Sequence, residues 1–224
     1  MTRVATATSS TVAAWAADEV ADAGGNAIDC AIAAAMVAMN TEPGVCALAG
    51  GAFVTVWPAG ADPVTIDGNV AVPGLGAGES PLEETIVDME YGGGVRTLVG
   101  TPSVAVPGAI AALHCASDRY GCVPWSLVLQ PAIDSARDGF PLSTAAHYYL
   151  QYSGVPIFGR SKDGFGALHD EQDRLRAAGD KIVVPYLADT LQEIADTGSE
   201  SFYHGELAAR ISAHVQAGGG RLNR

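Results

Sequence analysis

Basic residues are scarce in this 224-residue sequence. Twelve Lys and Arg residues stand against 25 Asp and Glu residues, which gives a formal net charge of -13 at pH 7. Such an excess of negative charge repels nucleic-acid backbones and anionic lipid headgroups. We therefore expect neither a nucleic acid nor a membrane as a partner.

Patterns typical of metal sites and disulfides are also lacking. The four cysteines form no CxxC pair, and the five histidines are scattered without an HExxH motif. We expect no metal and no cofactor, assign no histidine as ligand or base, and interpret the cysteines as small buried apolar residues. These residues are Cys30, Cys46, Cys115, Cys122, His114, His147, His169, His204 and His214.

Recognisable catalytic motifs are absent as well. The sequence has no GxSxG elbow, no P-loop and no arguable Ser-His-Asp arrangement. The GLGAG run at 74–78 follows no strand pattern and opens no helix, which excludes a dinucleotide-binding turn. Read from its residues alone, the chain carries no catalytic centre.

The sequence also shows no long apolar run and no recognisable signal peptide at its start. The first residues carry one Arg and no apolar stretch of signal-peptide length. We expect a cytoplasmic protein, or a periplasmic or secreted one if a leader has been removed. The content of 48% hydrophobic and 17% charged residues is ample for a folded core.

The most informative segment that is present covers residues 24–53. Asn26 is placed to cap a helix, and Asp29 follows three residues later, where a carboxylate meets the free N–H groups of the first turn. Asp29 is the only charge from Ala27 to Met39, so this helix is predicted to be buried. Small residues at 49–52 then leave the next strand bare at its start, which permits close approach.

The rest of the chain divides into local patterns. We predict helices at Thr11–Ala23, at Pro107–Tyr120, from Pro124 with a break or new start at Pro131, and between Pro185 and Gly198; a hairpin of Phe53–Trp57 with Val64–Ile66; an irregular segment at 74–103; and a surface excursion at 153–180.

Asp67 is the most interesting polar residue, because it ends a strand beside a glycine, where sites tend to be built. Spacing alone favours another interpretation, in which Asp67 bonds its own backbone in an Asx-type turn.

Taken together, these blocks resemble the N-terminal part of the large subunit of the γ-glutamyltranspeptidase family, also called glutathione hydrolases. The matching segments are Gly24-Gly-Asn-Ala-Ile-Asp29, Glu42-Pro43, Gly50-Gly-Ala-Phe53, Val106-Pro-Gly108, Arg119-Tyr-Gly121, Pro124-Trp125, Pro131-Ala-Ile133, Gly139-Phe140, Leu187-Ala-x-Thr-Leu191, Phe202-Tyr-x-Gly205 and Gly219-Gly220.

The resemblance implies an α+β fold of the N-terminal-nucleophile hydrolase type. Its αββα sandwich would be partial in this chain, which would expose unpaired strand edges and apolar surface. Residues 1–224 would form the large-subunit portion of one domain. Helices and sandwich strands would occupy 1–73, the irregular crossing segment 74–103, and a mainly helical region 104–224.

The resemblance also implies a mechanism. A threonine at the start of a small subunit attacks a γ-glutamyl amide, with its own α-amine as base. No stretch of this sequence corresponds to that threonine segment, and Thr144 with His147 is no substitute because it lies in a helical block. We therefore place no catalytic residue in this chain and expect a partner with an N-terminal Thr, from the same precursor or a separate gene, and a small-molecule amide or acyl substrate.

Two alternative functions remain open from the sequence. The chain could be a non-catalytic truncated or split member of the family that acts as a binding or assembly module, or it could be an unrelated α+β ligand-binding domain.

One substrate-binding position departs from the family. There, an arginine two residues after the aspartate equivalent to Asp67 holds the α-carboxylate of the glutamyl group, and here Asn69 stands in its place. A charge-assisted hydrogen bond contributes about 1.5–3 kcal/mol, so its loss predicts a roughly ten- to hundredfold weaker glutamate selectivity and favours another amide or acyl substrate. Arg96, or a register shift of a residue or two, would restore the charge.

Overall fold

The computed structural model describes residues 3–75 and 85–223. Its helices and strands are, in chain order, α1 (Thr11–Asp22), α2 (Ala27–Thr41), β1 (Ala52–Val56), β2 (Val64–Gly68), β3 (Thr85–Met89), β4 (Val95–Val99), α3 (Ala109–Tyr120), α4 (Trp125–Asp138), β5 (Phe140–Pro141), α5 (Thr144–Ser153), α6 (Lys162–Leu168), β6 (Lys181–Ile182), α7 (Leu187–Thr197), α8 (Glu200–Tyr203) and α9 (Glu206–Ala217). In the part of the chain that the structure describes, no helix is both long and apolar enough to cross a membrane.

Helix α2 begins with the cap that its sequence predicts. The Asn26 side-chain oxygen accepts hydrogen bonds from the N–H groups of Ile28 (2.8 Å) and Asp29 (3.2 Å). The Asp29 carboxylate accepts the Asn26 N–H in return at 3.0 Å, which completes a capping box. The helix is buried except along a short stripe that includes Ala27 and Ala31.

The main core lies where α1, α2, α3, α4 and α7 meet. Fully buried side chains such as Ile32, Met36, Ile133 and Leu191 fill it. A smaller cluster joins β5, β6, α5 and α6 around Phe140. The C-terminal half is therefore mainly helical, as predicted.

Two predictions of secondary structure need correction. Helix α4 runs without a break through Pro131, because the buried proline ring packs into the core while only one backbone donor is lost. The segment predicted to be irregular at 74–103 contains the antiparallel pair β3–β4, with the GLGAG residues 76–78 outside the described residues. Three glycines at 92–94, all with positive φ, form the turn between the two strands. Because this glycine run is typical of a loop, the β-branched residues on either side of it were not interpreted as strands.

Strands β1 and β2 form an antiparallel hairpin with one face on the core. Val54 and Ile66 are register partners that pack inward, whereas Thr55 and Thr65 share the outward face and their hydroxyls lie 3.0 Å apart. Within the described ranges, each sheet has two strands only. The hairpin thus leaves its strand edges open, and apolar side chains such as Trp57 are exposed on it.

Candidate functional site

The predicted substrate residue Asn69 follows directly after the last residue of β2. The Asp67 carboxylate accepts the Asn69 N–H at 2.9 Å, so Asp67 forms the Asx-type turn that its spacing favoured. The side-chain oxygen of Asn69 accepts the Val70 N–H, also at 2.9 Å. In residues 3–75 and 85–223 the amide nitrogen of Asn69 has no hydrogen-bond partner, so this exposed side chain presents a donor.

Glycines bring this strand end against the start of α3. The Gly50 carbonyl accepts the N–H groups of Gly108 and Ala109, each at 3.1 Å. A Cβ on Gly68 would overlap the Cβ of Ala112 and lie 2.7 Å from the Gly108 carbonyl oxygen. The bare backbone predicted for this region therefore serves a close approach between hairpin and helix.

Replacing Gly68 by Ala is expected to destabilise the protein by about 1–3 kcal/mol, because the added methyl group overpacks this junction. The double variant Gly68→Ala/Ala112→Gly removes one of three close contacts, the others being with the Gly108 and Ala52 carbonyl oxygens, and should cost less than the two single changes together. Thermal unfolding of the purified variants measures both effects. Gly166→Ala is the matched control, because nothing lies within 4 Å of its added Cβ; equal stability of Gly68→Ala and the control would contradict the assigned contact.

The segment after Asn69 is held beside the entry to α3. Ala71 and Val106 exchange two backbone hydrogen bonds, of 3.1 and 2.8 Å, as an isolated antiparallel bridge. Asn69 is therefore fixed between the end of β2 and this bridge.

Arg96, the other possible source of positive charge, lies on β4. Its guanidinium is 3.5 Å from the Asp88 carboxylate on β3, and both side chains are largely exposed. Arg96 therefore forms its ion pair within the β3–β4 hairpin.

One serine and histidine pair was missed by the sequence motifs. His114 Nδ1 lies 3.1 Å from Ser199 Oγ, and its Nε2 lies 3.8 Å from Asp118. The backbone N–H of Ser199 also points at Nδ1, at 3.4 Å, and the ring packs 4.8 Å from Trp125. Because the nitrogen that would act as base already accepts a backbone hydrogen bond, we interpret this contact as a loop anchor.

His147, the neighbour of Thr144 on α5, also has a structural role. His147 Nδ1 lies 3.0 Å from the Arg176 carbonyl oxygen. This hydrogen bond engages the imidazole with the backbone, so His147 is not placed as a base for Thr144. No group of three or more metal-binding side chains occurs among the described residues.

The cysteines are all free, but the prediction that they are buried holds only for Cys30. Cys115 is half-buried, and Cys46 and Cys122 are exposed. The exposed cysteines lie at helix ends and in loops, where their thiols reach polar partners: Cys46 donates to the Ala38 carbonyl oxygen at 3.3 Å, and Cys122 donates to the Asp29 carboxylate at 3.2 Å.

The sequence matches a family model described as gamma-glutamyltranspeptidase over residues 13–224. It is 33% identical over 200 residues to a glutathione hydrolase proenzyme of Pseudomonas aeruginosa, which covers 89% of this chain and 34% of that protein. It is 32% identical over 197 residues to glutathione hydrolase 2 of Arabidopsis thaliana, which covers 88% of this chain and 32% of that protein. The chain thus spans about a third of the length of these curated relatives.

Solved structures show a similar arrangement. The γ-glutamyltranspeptidase from Pseudomonas nitroreducens complexed with L-DON superposes with a TM-score of 0.80 at 28% identity, covering 98% of this chain and 62% of that one. The cephalosporin acylase from Bacillus halodurans gives a TM-score of 0.78 at 29% identity, covering 95% of this chain and 39% of that one. The α+β fold of N-terminal-nucleophile hydrolases is therefore present, in part, in this chain.

Proposed function

Because this chain belongs to the γ-glutamyltranspeptidase family, we propose that it is the large-subunit component of an amidohydrolase or acyltransferase whose nucleophilic Thr lies in a separate small subunit. The family match over residues 13–224 carries this proposal. The open edges of β1 and β2 support it, because a second segment that completes the sheet would cover them. The described residues also bring together no nucleophile and base of their own that would perform the reaction.

In the proposed reaction the Thr hydroxyl attacks the acyl carbonyl and passes its proton to the α-amine of the same Thr. The amide C–N bond then breaks, and the resulting α-ammonium group returns the proton to the departing amine, which leaves the acyl group as an ester on the Thr oxygen. The acyl group then moves from the Thr oxygen to water or to an amine. The described chain would supply part of the wall of the acyl site. The hairpin and the α3 junction hold Asn69 in place, and its amide N–H groups, which have no partner among the described residues, would donate to the acyl group.

The substrate that we propose is an amide or acyl compound other than a γ-glutamyl one. Asn69 is neutral, and Arg96 is engaged with Asp88, so the described wall offers no ready charge to an α-carboxylate. A neighbour named for cephalosporin is as similar in sequence as the transpeptidase, at 29% against 28% identity. This supports a change of acyl group within one fold.

Isolation of the chain together with whatever it binds is the direct experiment. We expect a tagged chain, expressed from its complete coding region, to retain a second polypeptide whose N-terminal residue is Thr. N-terminal sequencing identifies that residue, and an unrelated tagged protein controls for nonspecific capture. A stable, monodisperse chain without any Thr-initiated partner would favour the non-catalytic binding or assembly module instead.

A further inference from the structure

We propose that the acyl group accepted at this site carries an ammonium group and no carboxylate. The inference rests on the proposed function, which places Asn69 in the acyl site, and it names the substrate class. Three neighbouring side chains and the distribution of charge along the chain lead to it.

The first observation is a ring beside a carboxylate. Thr55 and Thr65 mark the outward face of the hairpin through their hydroxyl contact. Phe53 and Asp67 lie two residues further along the same two strands and are register partners. Side chains alternate along a strand, so both belong to that outward face, and directly opposite residues have Cβ atoms about 4.5–5.5 Å apart. The Phe53 side chain is exposed, at 63%.

The second observation concerns free hydrogen-bonding atoms. Asp67 uses Oδ1 to hold the Asn69 N–H, and no described residue donates a hydrogen bond to its Oδ2. Asn69 likewise uses only its oxygen, towards Val70. The end of the hairpin therefore presents one carboxylate oxygen, one exposed aromatic ring and one amide donor.

The third observation is the charge around these groups. No Lys or Arg occurs in the sequence between Arg3 and Arg96, and Arg96 pairs with Asp88. A carboxylate on the acyl group would meet Asp67 with no counter-charge from this stretch. An ammonium group would meet a carboxylate and the face of an aromatic ring, both of which attract cations.

Three anilides that differ by one group each test the substrate class: γ-glutamyl-p-nitroanilide, 4-aminobutanoyl-p-nitroanilide, which lacks only the α-carboxylate, and butanoyl-p-nitroanilide, which lacks the amine as well. With the assembled enzyme we expect kcat/KM for the 4-aminobutanoyl compound to exceed both others by about tenfold, after subtraction of spontaneous cyclisation. A preference for the γ-glutamyl compound, or equal turnover of the two uncarboxylated ones, would overturn the inference.

The substitution Asp67→Asn tests the residue itself. It keeps the oxygen that holds the Asx turn and removes the charge. We expect the ratio of kcat/KM for 4-aminobutanoyl over butanoyl to fall about tenfold. Asp62→Asn, in the exposed turn at the other end of the hairpin, makes the same change in net charge and should leave the preference unaltered.

Binding separates this inference from the proposed function. Absence of turnover of every anilide would count against the enzyme, but not against the recognition of an ammonium group. Saturation-transfer NMR of the same purified protein then compares 4-aminobutanamide with L-glutamine. We expect a signal for 4-aminobutanamide that is lost in Asp67→Asn, and equal or stronger binding of L-glutamine would overturn the inference.

Discussion

Replacement of Asn69 by Arg is expected to raise kcat/KM for γ-glutamyl-p-nitroanilide, relative to butanoyl-p-nitroanilide, by about ten- to a hundredfold. The guanidinium would supply the charge-assisted hydrogen bonds to an α-carboxylate that an amide does not, and each such contact contributes about 1.5–3 kcal/mol. The site has room for the longer side chain, because Asn69 is exposed and Gly51 lies beside it without a Cβ. Loss of the Asn69 bond to the Val70 N–H leaves a donor that water can satisfy.

The assay compares the two anilides with the assembled enzyme before and after the substitution. Asn69→Lys restores the charge without the planar fork of Arg and should give a smaller gain. Asn69→Gln changes length alone and is the matched neutral control. An unchanged ratio in Asn69→Arg would mean that this position lies outside the acyl site.

Local signals made much of the fold predictable. The cap of α2 depends on Asn26 and Asp29, which lie three residues apart, and its geometry appears as predicted. The same holds for the hairpin β1–β2 and for α7, whose buried Leu191 and Ile194 follow a helical spacing. In each case the residues that determine the element are neighbours in the sequence.

Contacts between distant residues were not predictable in this way. Gly68 and Gly108 lie 40 residues apart. Their backbones approach so closely that neither position has room for a side chain, and the local sequence around each glycine does not indicate this contact. The hairpin β3–β4 was missed because acidic residues and a run of glycines dominate its surroundings. The prediction that Asn69 binds substrate came from the family resemblance alone. The structure adds the Asx turn that holds Asn69 and shows that its side-chain N–H groups have no partner among the described residues.

The Asp29 carboxylate joins two parts of the chain. Asp29 is fully buried, and its Oδ2 accepts the N–H groups of Asn26 and Cys122, both at 3.0 Å. It also accepts the Cys122 thiol at 3.2 Å. The first turn of α2 is thereby fastened to the loop between α3 and α4. A Cβ on Gly121 would lie 2.5 Å from the other carboxylate oxygen, so this loop is shaped around Asp29.

Replacement of Asp29 by Ala is therefore expected to destabilise the protein by about 3–4 kcal/mol and to lower its melting temperature by roughly 6–16 °C. Two partly buried N–H groups, those of Asn26 and Cys122, would lose their acceptor, and bonds to a carboxylate contribute more than bonds between neutral groups. Thermal unfolding measures the change. Asp18→Ala removes the same charge from an exposed helix position and should stay within about 0.5 kcal/mol of the starting protein.

The reactivity of Cys122 measures the local effect of the Asp29→Ala substitution. The hydrogen bond from its thiol to Asp29 raises the pKa of Cys122 above its usual range, because the bond and the neighbouring negative charge both favour the protonated thiol. Without Asp29 the thiolate fraction should increase at pH 8, so Cys122 should react faster with iodoacetamide while the protein is still folded. Mass spectrometry follows alkylation of Cys122 against exposed Cys46, whose surroundings the substitution leaves unchanged. Faster alkylation of both cysteines would indicate general loosening, whereas faster alkylation of Cys122 alone would locate the effect at the carboxylate that fastens α2 to the loop after α3.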